Sequence, residues 1–115
     1  MTGSELEHFR QKLLTNRAEL LAEAAALPDA HPSDADRDGD QIDHASAETD
    51  RDIVDINRSR IERLLSEVDH ALARIASGGY GICVETGEPI EKHRLEAQPT
   101  ATLSLAAQQR RERQL

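Results

Sequence analysis

The chain has 115 residues, 37% of them hydrophobic and 31% charged, with a formal net charge of −8 from 22 acidic and 14 basic side chains. That length allows one small domain, or an elongated element on a small base, and the acidic balance disfavours direct duplex binding while favouring a basic protein surface. No apolar run approaches the ~20 residues that span a bilayer, MTGSELEHFR lacks the pattern of a secretory signal, and the single Cys83 cannot form an internal disulfide, so a cytoplasmic protein is expected.

One Phe, one Tyr and no Trp contribute little aromatic packing, which suits long amphipathic helices better than a compact globule. The first helix is predicted from Ser4 to about Leu27, with Ser4 and Glu7 forming a capping-box pattern. Leu6, Leu13, Leu20 and Leu27 recur every seven residues, with Phe9 and Ala24 widening the stripe, and such a repeat keeps one seam against a partner helix. Pro28 and Pro32 end this helix or kink it, and DADRDGD at 34–40 reads as an acidic turn.

A second helix is expected to begin between Ile42 and Ser46 and to run to about Ala76. Its seam is Val54, Ile61, Val68 and Ile75, with Leu64, Leu65 and Leu72 beside it, and Gly78 and Gly79 stop it. Two heptad helices joined by a polar turn should fold back as an antiparallel coiled coil, about 50 Å long at about 1.5 Å per residue. The expected architecture is mostly α. Residues 4–77 form the hairpin, with its tip at about 34–45, and residues 78–115 form a small module. Within that module the stretch after Tyr80 is turn-rich, and Thr102 to Gln114 reads as a final helix with Arg110, Arg111 and Arg113 in its last turns.

The segment from Tyr80 to Ala107 resembles the zinc-finger region of the DksA/TraR family through Gly81, Cys83, Gly87, Ile90, Arg94, Leu95, Ala97, Pro99 and Ala101. That family places two CxxC pairs where this chain has Cys83, Thr86, Ser104 and Ala107, so the resemblance implies a degenerate, metal-free finger. Structural zinc needs four ligands; one thiol, two poor hydroxyl ligands and an alanine do not supply them, and His93 adds one at most. No cofactor is expected. Cys83 reads as a small buried apolar residue rather than a redox sensor, because no resolving thiol exists in the chain.

The resemblance extends to the hairpin. The family's DxxDxA tip motif falls on Asp40, Asp43 and Ala45, at a matching distance from Cys83. It implies a monomer that inserts its tip into the secondary channel of bacterial RNA polymerase and modulates promoter-complex stability at initiation. Asn57, Arg60 and Leu64 coincide with family positions near the polymerase and the alarmone ppGpp. Glu67 is acidic where the family position is basic, which counts against ppGpp responsiveness.

Each of these residues also has a plainer reading. Asp40 and Asp43 are ordinary carboxylates near a helix start. Arg60 lies off the seam and is expected to pair with Asp55, Glu62 or Glu67, whereas Asn57 on the seam fixes register. Asp34, Asp36, Asp38 and Gly39 open a calcium-loop pattern, but its twelfth position is Ala45 rather than Glu, so only weak divalent binding is expected. The five His are dispersed and no nucleophile or phosphate-loop motif occurs, so no catalysis is expected. The reading from another class is a coiled-coil adaptor that dimerises through its heptad seams.

Overall fold

The computed structural model describes residues 1–28 and 44–114, and side chains within 44–49 fall outside that description. Four helices follow in chain order: α1 (Gly3–Ala26), α2 (His44–Ser77), α3 (Lys92–Ala97) and α4 (Leu105–Arg113). Among the described residues there is no strand, and one isolated antiparallel bridge joins Ile82 to Pro89.

The cap of α1 differs from the expectation. Thr2, not Ser4, is the N-cap: its hydroxyl accepts the Glu5 amide at 3.1 Å, while the Glu5 carboxylate accepts the Thr2 amide at 3.2 Å. The chain offers two overlapping capping-box patterns, Thr2 with Glu5 and Ser4 with Glu7. Lys92 of α3 stands against Glu5 and favours the earlier one. That contact and the Thr2 bonds hold the Glu5 carboxyl down to about 2. At the other end Leu27 is extended, with φ −73° and ψ 144°, as steric crowding by a following proline requires. Pro28 therefore ends the helix rather than kinking it, and Pro32 lies outside the described residues.

α2 agrees with the expected start and ends one residue later than predicted. Its 34 residues amount to about 51 Å of helix. Gly78 adopts a φ of +86°, and the Gly79 amide reaches back to the Arg74 carbonyl at 2.9 Å, so the glycine pair closes the helix by left-handed capping. α1 and α2 pack as an antiparallel hairpin. Leu13, Ile61 and Val68 are buried on the facing seams, with Leu6, Leu20, Leu72 and Ile75 packed beside the core. Phe9 and Ala71, which the heptad pattern placed beside the seam or left out, are fully part of it.

Polar ties run across the hairpin in antiparallel order: Arg17 to Asp69 at 2.9 Å, Glu23 to Arg60 at 3.3 Å, and Pro28 to Arg58 at 2.9 Å. The stretch of α2 from His44 to Asn57, about 20 Å of helix, therefore runs past the end of α1. Ile53 and Ile56 on it are exposed. The rod is mounted on its base by one cluster in which Phe9, Leu13, Val68 and Ala71 join Tyr80, Cys83, Ile90, Leu95, Ala101 and Ala107.

Leu13 has no exposure, so Leu13→Ala should cost about 2–5 kcal/mol of unfolding free energy in urea titrations. Ile56→Ala, on the uncovered stretch, should change it by less than about 0.5 kcal/mol.

Candidate functional site

The base is built around a turn that begins at Cys83. The Gly87 amide donates to the Cys83 carbonyl at 2.9 Å, the Cys83 amide to the Glu88 carbonyl at 2.8 Å, and the Ile90 amide to the Gly81 carbonyl at 2.7 Å. Gly87 closes this turn with a φ of +73°, where a side chain would be strained. The Val84 amide donates to the Thr102 carbonyl at 2.9 Å and brings the turn against the start of α4. Ser104 is the N-cap of α4, its hydroxyl accepting the Ala107 amide at 3.2 Å. The final helix thus starts three residues later than the sequence pattern indicated, because Ser104 is its cap rather than a residue in its first turn.

The four degenerate zinc positions, Cys83, Thr86, Ser104 and Ala107, come together here. Cys83 is 1% exposed and Ala107 is fully buried. Cys83 is buried in the core, as expected of a small apolar residue, and polar donors also face it. Its sulfur receives the Thr86 hydroxyl first of all, then the Ser104 backbone amide, with the Thr86 and Glu85 amides adding to them. Burial opposes ionisation, yet these donors outweigh it and hold the thiol down to about 6. A single sulfur faced by amides and a hydroxyl occupies the place where four thiolates would gather around zinc.

Zinc does not fit the residues present. Thr86 Oγ1 accepts the Glu88 amide and serves Cys83 as a donor, Ser104 Oγ is spent on the Ala107 amide, and Ala107 has no ligand atom. Among the described residues no group of three His, Cys, Asp or Glu is gathered for a metal.

A second region lies where the rod meets the base. A cleft of about 320 Å³ is lined by Glu19, Glu23, Arg60, Leu64 and Gln98 among others. Arg60 and Leu64 are thus brought together, while Asn57, half-buried on the seam, does not line the cleft. Arg60 is paired with Glu23 across the hairpin rather than with the neighbours on α2 that its spacing suggested. Helix spacing offers only intrahelical partners, and the opposing helix supplied a nearer one. Asp40 and Asp43 lie outside the described residues, as do Asp34, Asp36, Asp38 and Gly39; Ala45 falls in the first turn of α2.

Several supporting contacts escaped the sequence reading. Arg74 donates to the Gly79 and Ile82 carbonyls at 2.9 and 2.6 Å, tying the end of α2 to the turn. Arg94 braces α3 against the Leu103 carbonyl at 2.9 Å and against Gln108. Glu96 of α3 receives Lys12 at 2.7 Å and stands 2.7 Å from His8, and the Lys12 bond leads in lowering its pKa. The short α3 itself was unread, since six residues carry too little periodicity to register. Tyr80 donates to the Pro99 carbonyl at 2.7 Å, and burial pushes its hydroxyl up to about 12.

A two-helix rod mounted on a small knuckle, with four ligand positions reduced to one thiol, defines a coiled-coil protein derived from a C4-type zinc finger. The family of the DnaK suppressor protein DksA N-terminal domain matches residues 5–75, and the prokaryotic dksA/traR C4-type zinc finger matches residues 78–113. The RNA polymerase-binding transcription factor DksA of Caulobacter vibrioides is 45% identical over 113 residues, covering 98% of this chain and 80% of that protein. The factor of the same name from Escherichia coli K12 is 30% identical over 105 residues, covering 91% of this chain and 70% of its own. The solved structure of transcription factor DksA2 from Pseudomonas aeruginosa superposes with a TM-score of 0.86 at 39% identity, covering 99% of this chain and 88% of that one. The chain belongs to the DksA/TraR family.

Because the folded pKa of Cys83 lies below the ordinary thiol value of 9.0, the thiolate form stabilises the fold fully above about pH 9, and this stabilisation is lost as pH falls through about 6. The difference in urea midpoint between the wild-type protein and Cys83→Ala should therefore widen steadily as pH is raised from 6 to 9.

Proposed function

We propose that this protein regulates bacterial transcription initiation by binding RNA polymerase and inserting the end of its rod into the secondary channel. The observation that carries this reading is reach. α2 is about 51 Å long, and its first 20 Å or so runs beyond the last described contact with α1, away from the shared core that mounts it. Such an element delivers chemistry at a distance from its base. In this reading Asp40 and Asp43, just ahead of α2, are the delivered groups, and the small Ala45 permits close approach. The relatives' names, RNA polymerase-binding transcription factor and transcription factor, support the partner. The protein then acts in the cytoplasm as a binding factor and not as an enzyme. No described helix is long and apolar enough to cross a membrane.

Arg60, exposed at the cleft, is in this reading a contact to the polymerase rim, with Leu64 beside it and Asn57 keeping the register of the rod. A guanosine polyphosphate such as ppGpp would meet Glu19 and Glu23 beside Arg60, the one arginine among the described residues of that cleft, with Glu67 exposed on the same helix. Opposed charge of that kind favours action independent of the alarmone.

The adaptor reading is the less favoured one. Its heptad seams are occupied within one chain, as the burial of Leu13, Ile61 and Val68 records, so little apolar surface is left on them for a second copy. A monomer in sedimentation fits the hairpin, whereas a stable dimer through the helices would favour the adaptor.

Two substitutions separate docking from action. Asp43→Asn should leave affinity for polymerase within about threefold and abolish most of the effect on promoter-complex lifetime, because an amide keeps the shape and removes the charge. Arg60→Ala should weaken polymerase binding by roughly tenfold while leaving the effect at saturation intact. If Asp43→Asn behaves as wild type in lifetime measurements, the tip is not the acting part.

A further inference from the structure

Arg58 sits on α2 level with the end of α1. Its Nη2 donates to the Pro28 carbonyl at 2.9 Å. Its Nε is shut away from solvent with no hydrogen-bond partner among the described residues, although the side chain as a whole is half-buried. A guanidinium enclosed in this way is a fixed part of the structure, unlike the half-exposed Arg17 and Arg60 further along the rod.

The end of α1 explains why a cation belongs there. Its last turn contains no basic residue, so the negative end of the helix dipole has no cation of its own. Leu27 is already extended, and its amide returns to the Ala24 carbonyl. Arg58 supplies from the opposite helix the charge and the donor that α1 lacks. Among the described residues it is also the last of three ties that succeed one another along the hairpin, after Arg17 with Asp69 and Arg60 with Glu23. From Pro28 the chain continues toward Asp40 and Asp43.

We propose that Arg58 is a positioning residue: by holding the Pro28 carbonyl it fixes the root of the segment between α1 and α2, so that the tip carboxylates meet their partner in one arrangement. This rests on the reading of the rod as a probe of RNA polymerase. Pro28 is exposed, so water can replace the guanidinium at its carbonyl, and the loss falls on local order more than on global stability.

The test compares Arg58→Ala, Arg58→Lys and Asp43→Asn in the full chain. Arg58→Ala should move Tm by less than about 4 °C and speed amide exchange in the last turn of α1 by roughly fivefold. It should leave affinity for polymerase within about twofold and cut the effect on promoter-complex lifetime at saturating protein by roughly threefold or more. Arg58→Lys keeps a cationic donor and should recover at least about half of that effect. Unchanged exchange in Arg58→Ala overturns the anchor, whatever polymerase does. A full saturating effect in Arg58→Ala, when Asp43→Asn has lost it, overturns the positioning role. Parallel losses of Tm, affinity and effect, without rescue by lysine, assign Arg58 to stability alone and also overturn it. Should Asp43→Asn keep its full effect, the tip reading falls instead, and the exchange measurement by itself decides the anchor.

Discussion

Burial shared between rod and base is the constraint from which the rest follows. Leu13 and Leu95 have no exposure, Phe9 and Val68 have 2%, and all four belong to the cluster that also takes in Tyr80 and Ala107. Each large side chain removed from water contributes about 1.5–3 kcal/mol, whereas an exposed ion pair contributes at most about 1 kcal/mol. The apolar cluster therefore decides that the rod is mounted, and pairs such as Arg17 with Asp69 or Lys12 with Glu96 adjust where. A hairpin held at one end by its core carries the start of α2 past the end of α1.

The knuckle illustrates how a metal-dependent shape persists without metal. A structural zinc site contributes on the order of 10–16 kcal/mol of binding free energy in small domains, and one thiol cannot retain it. What stands in its place is a set of ordinary interactions. Donors converge on the Cys83 sulfur, Ser104 caps α4, Ala107 fills the core, and the Arg74 and Arg94 guanidiniums tie the turn and α3 to their neighbours through backbone carbonyls. Each bond contributes about 1 kcal/mol net, and somewhat more where a charge takes part. Several together with a shared core suffice where none alone would. The same donors lower the thiol's pKa against the opposing effect of burial.

The heptads were the most legible part of the fold. Leu13, Ile61 and Val68 were placed on facing seams by their spacing and are buried there. Gly78 and Gly79 announced the end of α2 because a left-handed residue closes a helix most cheaply when it has no Cβ. Where the sequence offered competing solutions, spacing could not choose. Thr2 with Glu5 and Ser4 with Glu7 are equally good capping boxes, and Lys92, distant in sequence, stands against Glu5. The partner of Arg60 and the anchor formed by Arg58 escaped notice for the same reason, since both reach across to α1.

Sequence alone determined the two amphipathic rods, the glycine stop and the acidic surface, because each is a property of composition or of local period, and the resemblance to the family's finger added the loss of three thiols. Tertiary structure decided that Pro28 ends α1 while α2 runs on, that donors from Thr86 and Ser104 converge on the buried Cys83 sulfur, and that Arg60 shares a cleft with Glu19 and Glu23. Those outcomes depend on which groups from distant parts of the chain arrive at the same point. Distance in space is set by packing, and no local spacing encodes it.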